Sequence, residues 1–125
     1  MLKNKSLVAV TTGVIGLGFV LMTASSAAAS SSASLDWNGY LRGHASYSSS
    51  THQFSVTDDK SDCYGIEVEY SVDQAGIYTC YNHGGAGTTI HCTPKAGGHV
   101  EWEIWVMDNG AQVQGAATGF YSDVR

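Results

Sequence analysis

Val100-Glu101-Trp102-Glu103-Ile104-Trp105-Val106-Met107 decides the fold. Val100, Trp102, Ile104 and Val106 occupy every second position, with Glu101, Glu103, Trp105 and Met107 between them. A period of two predicts a β-strand with one buried face. The glutamates then face water, and Trp105 covers the outer face among them. The same pattern recurs upstream, where Ile66, Val68, Tyr70 and Val72 interleave with Glu67, Glu69 and Ser71. One apolar and one polar face is the signature of an antiparallel sheet packed on one side only.

Outward from these two segments, shorter strands are predicted around Phe54 and Val56, and over 40–47, 76–81, 88–93 and 119–124. Turn chemistry separates them: the polar run 58–62, the link 73–76, the glycine-rich loop 82–87, the segment 94–98 with the single proline, and the Asn109-Gly110 pair, a hairpin signal. Long helical periodicity is absent. The spacing predicts an all-β domain, a small antiparallel β-sandwich of six to eight strands, with a small β-barrel as the alternative. Residues 115–118 are small and polar and carry no assignment.

The first 29 residues read as a secretory signal peptide: Lys3 and Lys5, an uncharged apolar run over 7–22, then Ala27-Ala28-Ala29. The run is shorter than the ~20 residues of a spanning helix. Cleavage there leaves residues 30–125, read as a flexible leader over 30–35 and one domain over 36–125. The expected location is extracellular. Removing Lys3 and Lys5 leaves 4 basic and 11 acidic residues, a net charge of −7. Such a charge argues against nucleic acid and anionic membrane as partners. No cysteine near the cleavage point offers a lipid anchor, so no stable membrane anchor is expected after cleavage.

Cys63, Cys80 and Cys92 all lie beyond the leader, and an oxidising compartment favours a disulfide. If 82–91 encloses a hairpin centred on Ala86, Cys80 and Cys92 face each other, at a separation a bridge can span. A hairpin about 73–76 would place Cys80 opposite Glu69, away from Cys63. Cys63 is then left over: buried and free, paired between chains, or replacing one of the other two.

Several groupings are candidates for chemistry. Cys80, His83, His91 and Cys92 could ligate zinc. Against that, His91 and Cys92 point to opposite faces of a strand, and export favours a disulfide. Asp58, Asp59 and Asp62 crowd three carboxylates into five residues and could hold calcium, with Asp108 and Asn109 joining if the turns meet. The run lacks the usual calcium-loop spacing, however, and Lys60 competes. Glu67/Glu69 and Glu101/Glu103 each share a strand face at ~6.5–7 Å, a separation glycosidase carboxylates also use, although alternating glutamate equally describes a solvated sheet. His44, His52, His83, His91 and His99 are scattered; a two-histidine acid–base pair would meet repulsion between the acidic protein and a nucleic-acid substrate. No nucleophile elbow singles out a serine. Among Trp37, Trp102 and Trp105, Trp102 belongs to the core and Trp105 is the candidate for stacking on a sugar or other surface ligand.

The segment Val56-Thr57-Asp58-Asp59-Lys60-Ser61-Asp62, the strand after it, the 82–89 loop and the strand through Glu103-Ile104-Trp105-Val106 resemble, in that order, small secreted actinobacterial proteins of unassigned function. In those, V-x-D-x-K-A-D precedes V-x-V-x-Y, then N-x-x-G-x-G-T-T, then an apolar strand often ending in Val-Cys. The similarity covers residues 54–107. It implies a secreted β-sandwich and no catalytic residue. Met107 stands where that cysteine is often seen; a Cys63 partner there in relatives would explain the leftover thiol here.

These readings lead to a secreted, non-enzymatic domain that binds an extracellular ligand or polysaccharide, or plays a structural part, with no required cofactor. The alternatives are a small secreted hydrolase using acidic residues or histidines, and a calcium-stabilised module.

Overall fold

A computed structural model describes residues 30–124. The signal-peptide reading falls on residues 1–29 and lies outside the described residues. Among those described, nine strands form two antiparallel sheets and no helix occurs. The strands are β1 (Ser31–Trp37), β2 (Tyr40–Ser48), β3 (Gln53–Asp58), β4 (Tyr64–Val72), β5 (Tyr78–Asn82), β6 (Thr89–Cys92), β7 (His99–Asp108), β8 (Ala111–Ala117) and β9 (Tyr121–Val124). One sheet has the order β1-β2-β3-β6. The other runs β5-β4-β7-β8, with β9 also paired to β7. They stack as a sandwich; the closed-barrel alternative is not formed.

The strand count exceeds the predicted six to eight, for two local reasons. Residues 31–35 of the expected leader 30–35 instead open β1, because Asn38 and Gly39 both take positive φ (54° and 79°) and close a two-residue turn opposing Trp37 to Tyr40. Ala33 and Leu35 then alternate into the core between exposed Ser32 and Ser34. The unassigned stretch 115–118 overlaps the end of β8, whose pairing with β7 breaks register between Trp105 and Met107. The predicted Asn109-Gly110 turn is present, with both residues at positive φ.

β4 and β7 pair over nine positions, from Tyr64↔Asp108 to Val72↔Val100, and set the frame of the five-stranded sheet. Their apolar faces are fully buried. Phe54 of β3 crosses from the opposite sheet to the centre, its ring 5.1 Å from Tyr70, 5.5 Å from Trp102 and 5.0 Å from Tyr47. Aromatic contacts at these separations add about 0.5–1.5 kcal/mol each beyond burial alone. The indole nitrogen of Trp102 donates to buried Asp123 at 2.9 Å, and the Ser31 hydroxyl donates to the same carboxylate, so the polar end of this core ties β1 to β9. Close approach of the sheets also explains Gly43: a Cβ there would sit 2.5 Å from Ile66 Cγ1 and 2.6 Å from the Thr57 carbonyl oxygen.

Cys80 and Cys92 form the expected disulfide, but not across a hairpin. β5 pairs with β4 and β6 with β3, so residues 83–88 cross from one sheet to the other and the bond joins the two sheets. The predicted register of β5 is off by one. Cys80 faces Val68 rather than Glu69: Asp73 and Gln74 take positive φ in a turn closed by a hydrogen bond from Ala75 N to Val72 O, and one further residue is taken up beside Gly76, also at positive φ, before β5 begins. This parity points Cys80 inward, where it is 1% exposed.

Beside the disulfide, fully buried Asn82 organises the crossover. Its amide donates to the carbonyls of Val56 (2.9 Å) and Thr88 (2.8 Å), and its Oδ1 accepts from the Gly84 amide (2.9 Å) and the Thr88 hydroxyl (3.1 Å). Asp58 completes the seam through its backbone: its amide donates to Thr88 O and its carbonyl accepts from Gly87 N.

Two stability outcomes follow. Replacing both Cys80 and Cys92 by serine should cost about 3 kcal/mol for a closed loop of this size, seen as a lower denaturant midpoint. Asn82→Ala strips partners from three backbone groups and should cost about 2–4 kcal/mol, with the loss concentrated in amide-exchange protection of 83–89; unchanged protection there would contradict the anchoring role.

Candidate functional site

The outer face of the five-stranded sheet gathers the polar and aromatic side chains that antiparallel register aligns. In one row Tyr81, Glu67 and Trp105 lie side by side on β5, β4 and β7, continuing to Ala117 on β8. In the next row Thr79, Glu69 and Glu103 are neighbours, so two carboxylates face each other across β4 and β7. Gln112 of β8 reaches over this surface and donates to Glu67 Oε1 (3.3 Å) and Glu69 Oε2 (3.1 Å). The Trp105 indole nitrogen donates to Glu103 Oε2 at 3.0 Å. Tyr81 fills the space that a side chain at Gly65 would need, since a Cβ there would approach its Cε2 to 2.6 Å. The Tyr81 ring also meets His83, with centroids 5.2 Å apart.

This face is less hydrated than an alternating strand implies. Glu67 is 6% and Glu103 7% exposed, while Trp105 is half-buried. Burial destabilises the charged form, so the carboxyl pKa of Glu67 is raised chiefly by desolvation, eased by the Gln112 hydrogen bond and reinforced by the charge of Glu69. Glu103 is raised for the same leading reason, eased by Trp105 and reinforced by Glu69. Glu69 is the shared electrostatic neighbour of both. The i, i+2 pairing of Glu67 with Glu69 thus belongs to a three-carboxylate group completed across strands by Glu103. Glu101 lies apart, 3.6 Å from His99.

Asp58, Asp59 and Asp62 each have separate hydrogen-bond or ionic partners, although the charges of Asp59 and Asp62 bear on Asp58. Asp58 is buried and accepts from the Lys60 amide at 3.1 Å; desolvation raises its pKa, against that hydrogen bond. Asp59 pairs with His44 Nδ1 (2.5 Å) and Asp62 with Arg42 Nη1 (2.5 Å). Arg42 in turn lies over the rings of Trp37, Tyr40 and Tyr64, at 5.1–5.6 Å from their centroids, and Lys60 sits 4.3 Å from that of Tyr40. Among the described residues no group of three His, Cys, Asp or Glu side chains is arranged to hold a metal ion. The zinc grouping is resolved differently as well: Cys80 and Cys92 bond each other, and His91 contacts Ser55 at 3.0 Å. His99 contacts Ser122 at 3.1 Å. Cys63 is exposed and carries no disulfide.

Tyr81 and Gln112 were not singled out by sequence. Gln112 has a readable signal: the Asn109-Gly110 turn places it opposite Met107 and therefore on the Glu67 face. Tyr81 needs the one-residue register of β5, which depends on the backbone of Asp73 and Gln74.

No protein family, curated protein or solved structure matches this chain.

The pKa directions carry a testable sign. A carboxyl raised above its ordinary glutamate value binds a proton in the folded state that the unfolded chain has already released. Its stabilising contribution is full below the unfolded pKa and is lost as pH rises through the folded one. Glu67→Gln and Glu103→Gln should each raise the melting temperature near neutrality and flatten its fall as pH rises above the ordinary glutamate range. Equal pH slopes in variant and parent would overturn the assignment.

Proposed function

We propose that this protein works outside the cell as a non-enzymatic β-sandwich that holds a carbohydrate on the outer face of its five-stranded sheet. The supporting observation is the cross-strand row Tyr81–Glu67–Trp105. Two aromatic side chains flank a carboxylate there, with the amide of Gln112 within hydrogen-bonding distance of that carboxylate. Aromatic faces supply apolar contact to sugar C–H surfaces. Carboxylates and amides accept and donate to hydroxyls, and a few convergent polar groups on a rigid apolar platform are what orients a bound ligand. The platform rests on strands held by the nine-position β4–β7 ladder, so little ordering is required on binding.

The extracellular setting is part of the same proposal. It rests on the N-terminal signal pattern and is consistent with the inter-sheet disulfide. No helix among the described residues is long and apolar enough to cross a membrane.

One observation favours a second reading. Glu69 and Glu103 face each other across β4 and β7, and Glu103 holds its proton more tightly than an ordinary glutamate, as a general acid beside a carboxylate base must. A hydrolase acting on the same ligand class would use these two groups.

A panel of soluble and insoluble polysaccharides tests both readings on the exported protein. Binding is expected for at least one polymer, with Trp105→Ala and Tyr81→Ala each weakening it about tenfold or more while the near-ultraviolet spectrum of the buried Trp102 is kept. Absence of binding across the panel, or full affinity in Trp105→Ala, would refute the carbohydrate site. Release of reducing ends that Glu103→Gln abolishes would replace the binding reading with the hydrolytic one.

A further inference from the structure

Every open sheet has edges whose backbone N–H and C=O groups lack strand partners, and folded proteins protect them with charge, proline, bulges or covering segments. The edges here are unequally protected. β5 and β6 are five and four residues long and are tied to each other by Cys80–Cys92. β8 is interrupted by its register break, and β9 has four residues. β1 has seven residues and, among the described residues, pairs only with β2. Its pairing is regular from Ser31 to Leu35, the irregularity falling between Leu35 and Asp36. Residues 31–35 contain no charge and no proline.

The same five residues are complementary to themselves. In an antiparallel pair of two β1 strands centred on Ala33, Ser32 of one copy opposes Ser34 of the other, and Ser31 opposes Leu35. Faces are conserved in this register: exposed Ser32 and Ser34 meet on the outside, and the buried Ala33 positions meet on the inside. Asp36, the single charged residue of β1, falls opposite Ser30 of the second copy rather than opposite its own counterpart, so no like charges meet. Two four-stranded sheets would become one of eight strands. On its outer surface the exposed hydroxyls of Ser32, Ser34, Thr89 and Thr93 would continue from one copy to the other.

We propose that β1 is a homotypic docking edge through which two copies associate by antiparallel β1–β1 pairing. This contact joins the four-stranded sheets and leaves the Trp105 face open on both copies, so it stands independently of the ligand proposed there. A five-residue seam gives a small interface, and the association is concentration-dependent.

Sedimentation of the exported protein carrying Cys63→Ser, which removes thiol-linked dimers, tests this. A reversible monomer–dimer equilibrium is expected below about 1 mM. The double variant Ser32→Lys/Ser34→Lys sets lysines opposite each other across the seam. Because both positions are exposed, β1 still pairs with β2. It should weaken the dimer about tenfold or more with an unchanged melting temperature. A monomer throughout that range, or a dimer indifferent to the two lysines, would overturn the proposal. If the lysines also lower the melting temperature, isotope-filtered cross-peaks between Ala33 protons of two copies decide: their presence in the Cys63→Ser protein supports the pairing and their absence overturns it.

Discussion

The structure depends on closing one side of the sandwich where the chain passes from one sheet to the other. β5 and β6 are short edge strands on different sheets, paired to their neighbours at five and four positions. The Cys80–Cys92 bond joins them covalently, and Asn82 accepts and donates across the gap to β3 and to the crossover loop. The two devices address different costs. The disulfide reduces the freedom of the unfolded chain, whereas Asn82 supplies hydrogen bonds to the Val56 and Thr88 carbonyls and the Gly84 amide where the chain changes sheet. With the seam closed, Phe54 is held against Tyr70 and Trp102, and the core is continuous between the sheets.

This seam also gives physical content to two polar segments of the sequence. Val56-Thr57-Asp58-Asp59-Lys60-Ser61-Asp62 and Asn82-His83-Gly84-Gly85-Ala86-Gly87-Thr88-Thr89 meet each other. Asp58 exchanges backbone hydrogen bonds with Gly87 and Thr88, and the Val56 carbonyl accepts from Asn82. Gly85 and Gly87 occupy positive φ, which the loop needs in order to turn back on Asn82. Asp62 is held by Arg42 under an aromatic cluster. The Asp, Asn and Gly residues of these segments thus take part in building the crossover, apart from the carboxylates on the face of β4 and β7.

Legibility from sequence followed the range of the interaction concerned. The β4 and β7 strands were readable because a period of two is local, and their buried and exposed faces alternate as Val68/Glu67 and Trp102/Glu103 imply, although Glu67 and Glu103 are far less exposed than that pattern suggests. β1 is not legible although Asn38-Gly39 marks its turn, since a serine-rich segment resembles a leader until its hairpin partner is identified. The symmetry about Ala86 identifies the cysteine pair but not its geometry, since it describes a hairpin and, equally, two strands that diverge into separate sheets. The register of β5 is not legible, because it rests on two non-glycine residues, Asp73 and Gln74, in a conformation such residues seldom adopt, and on the further residue taken up beside Gly76. That one-residue shift places Tyr81 beside Glu67, so the local backbone of a turn composes the candidate site.

The cost of that site is visible in its own chemistry. Three carboxylates on one face, two of them nearly dehydrated, oppose folding through desolvation and mutual repulsion. Gln112 and Trp105 offset part of this, yet no lysine or arginine pairs with Glu67, Glu69 or Glu103 among the described residues. The contrast with Asp62 is direct, since the same protein surrounds Arg42 with three rings and a carboxylate to satisfy a charge elsewhere. A sheet selected for stability alone would carry threonine or neutral side chains at 67 and 103, as the outer face of the four-stranded sheet does at Ser55, Thr57 and Thr89. Glu67 between Tyr81 and Trp105, with Glu103 close by, leaves polar interactions incomplete within the fold, and a ligand bound as proposed would complete them.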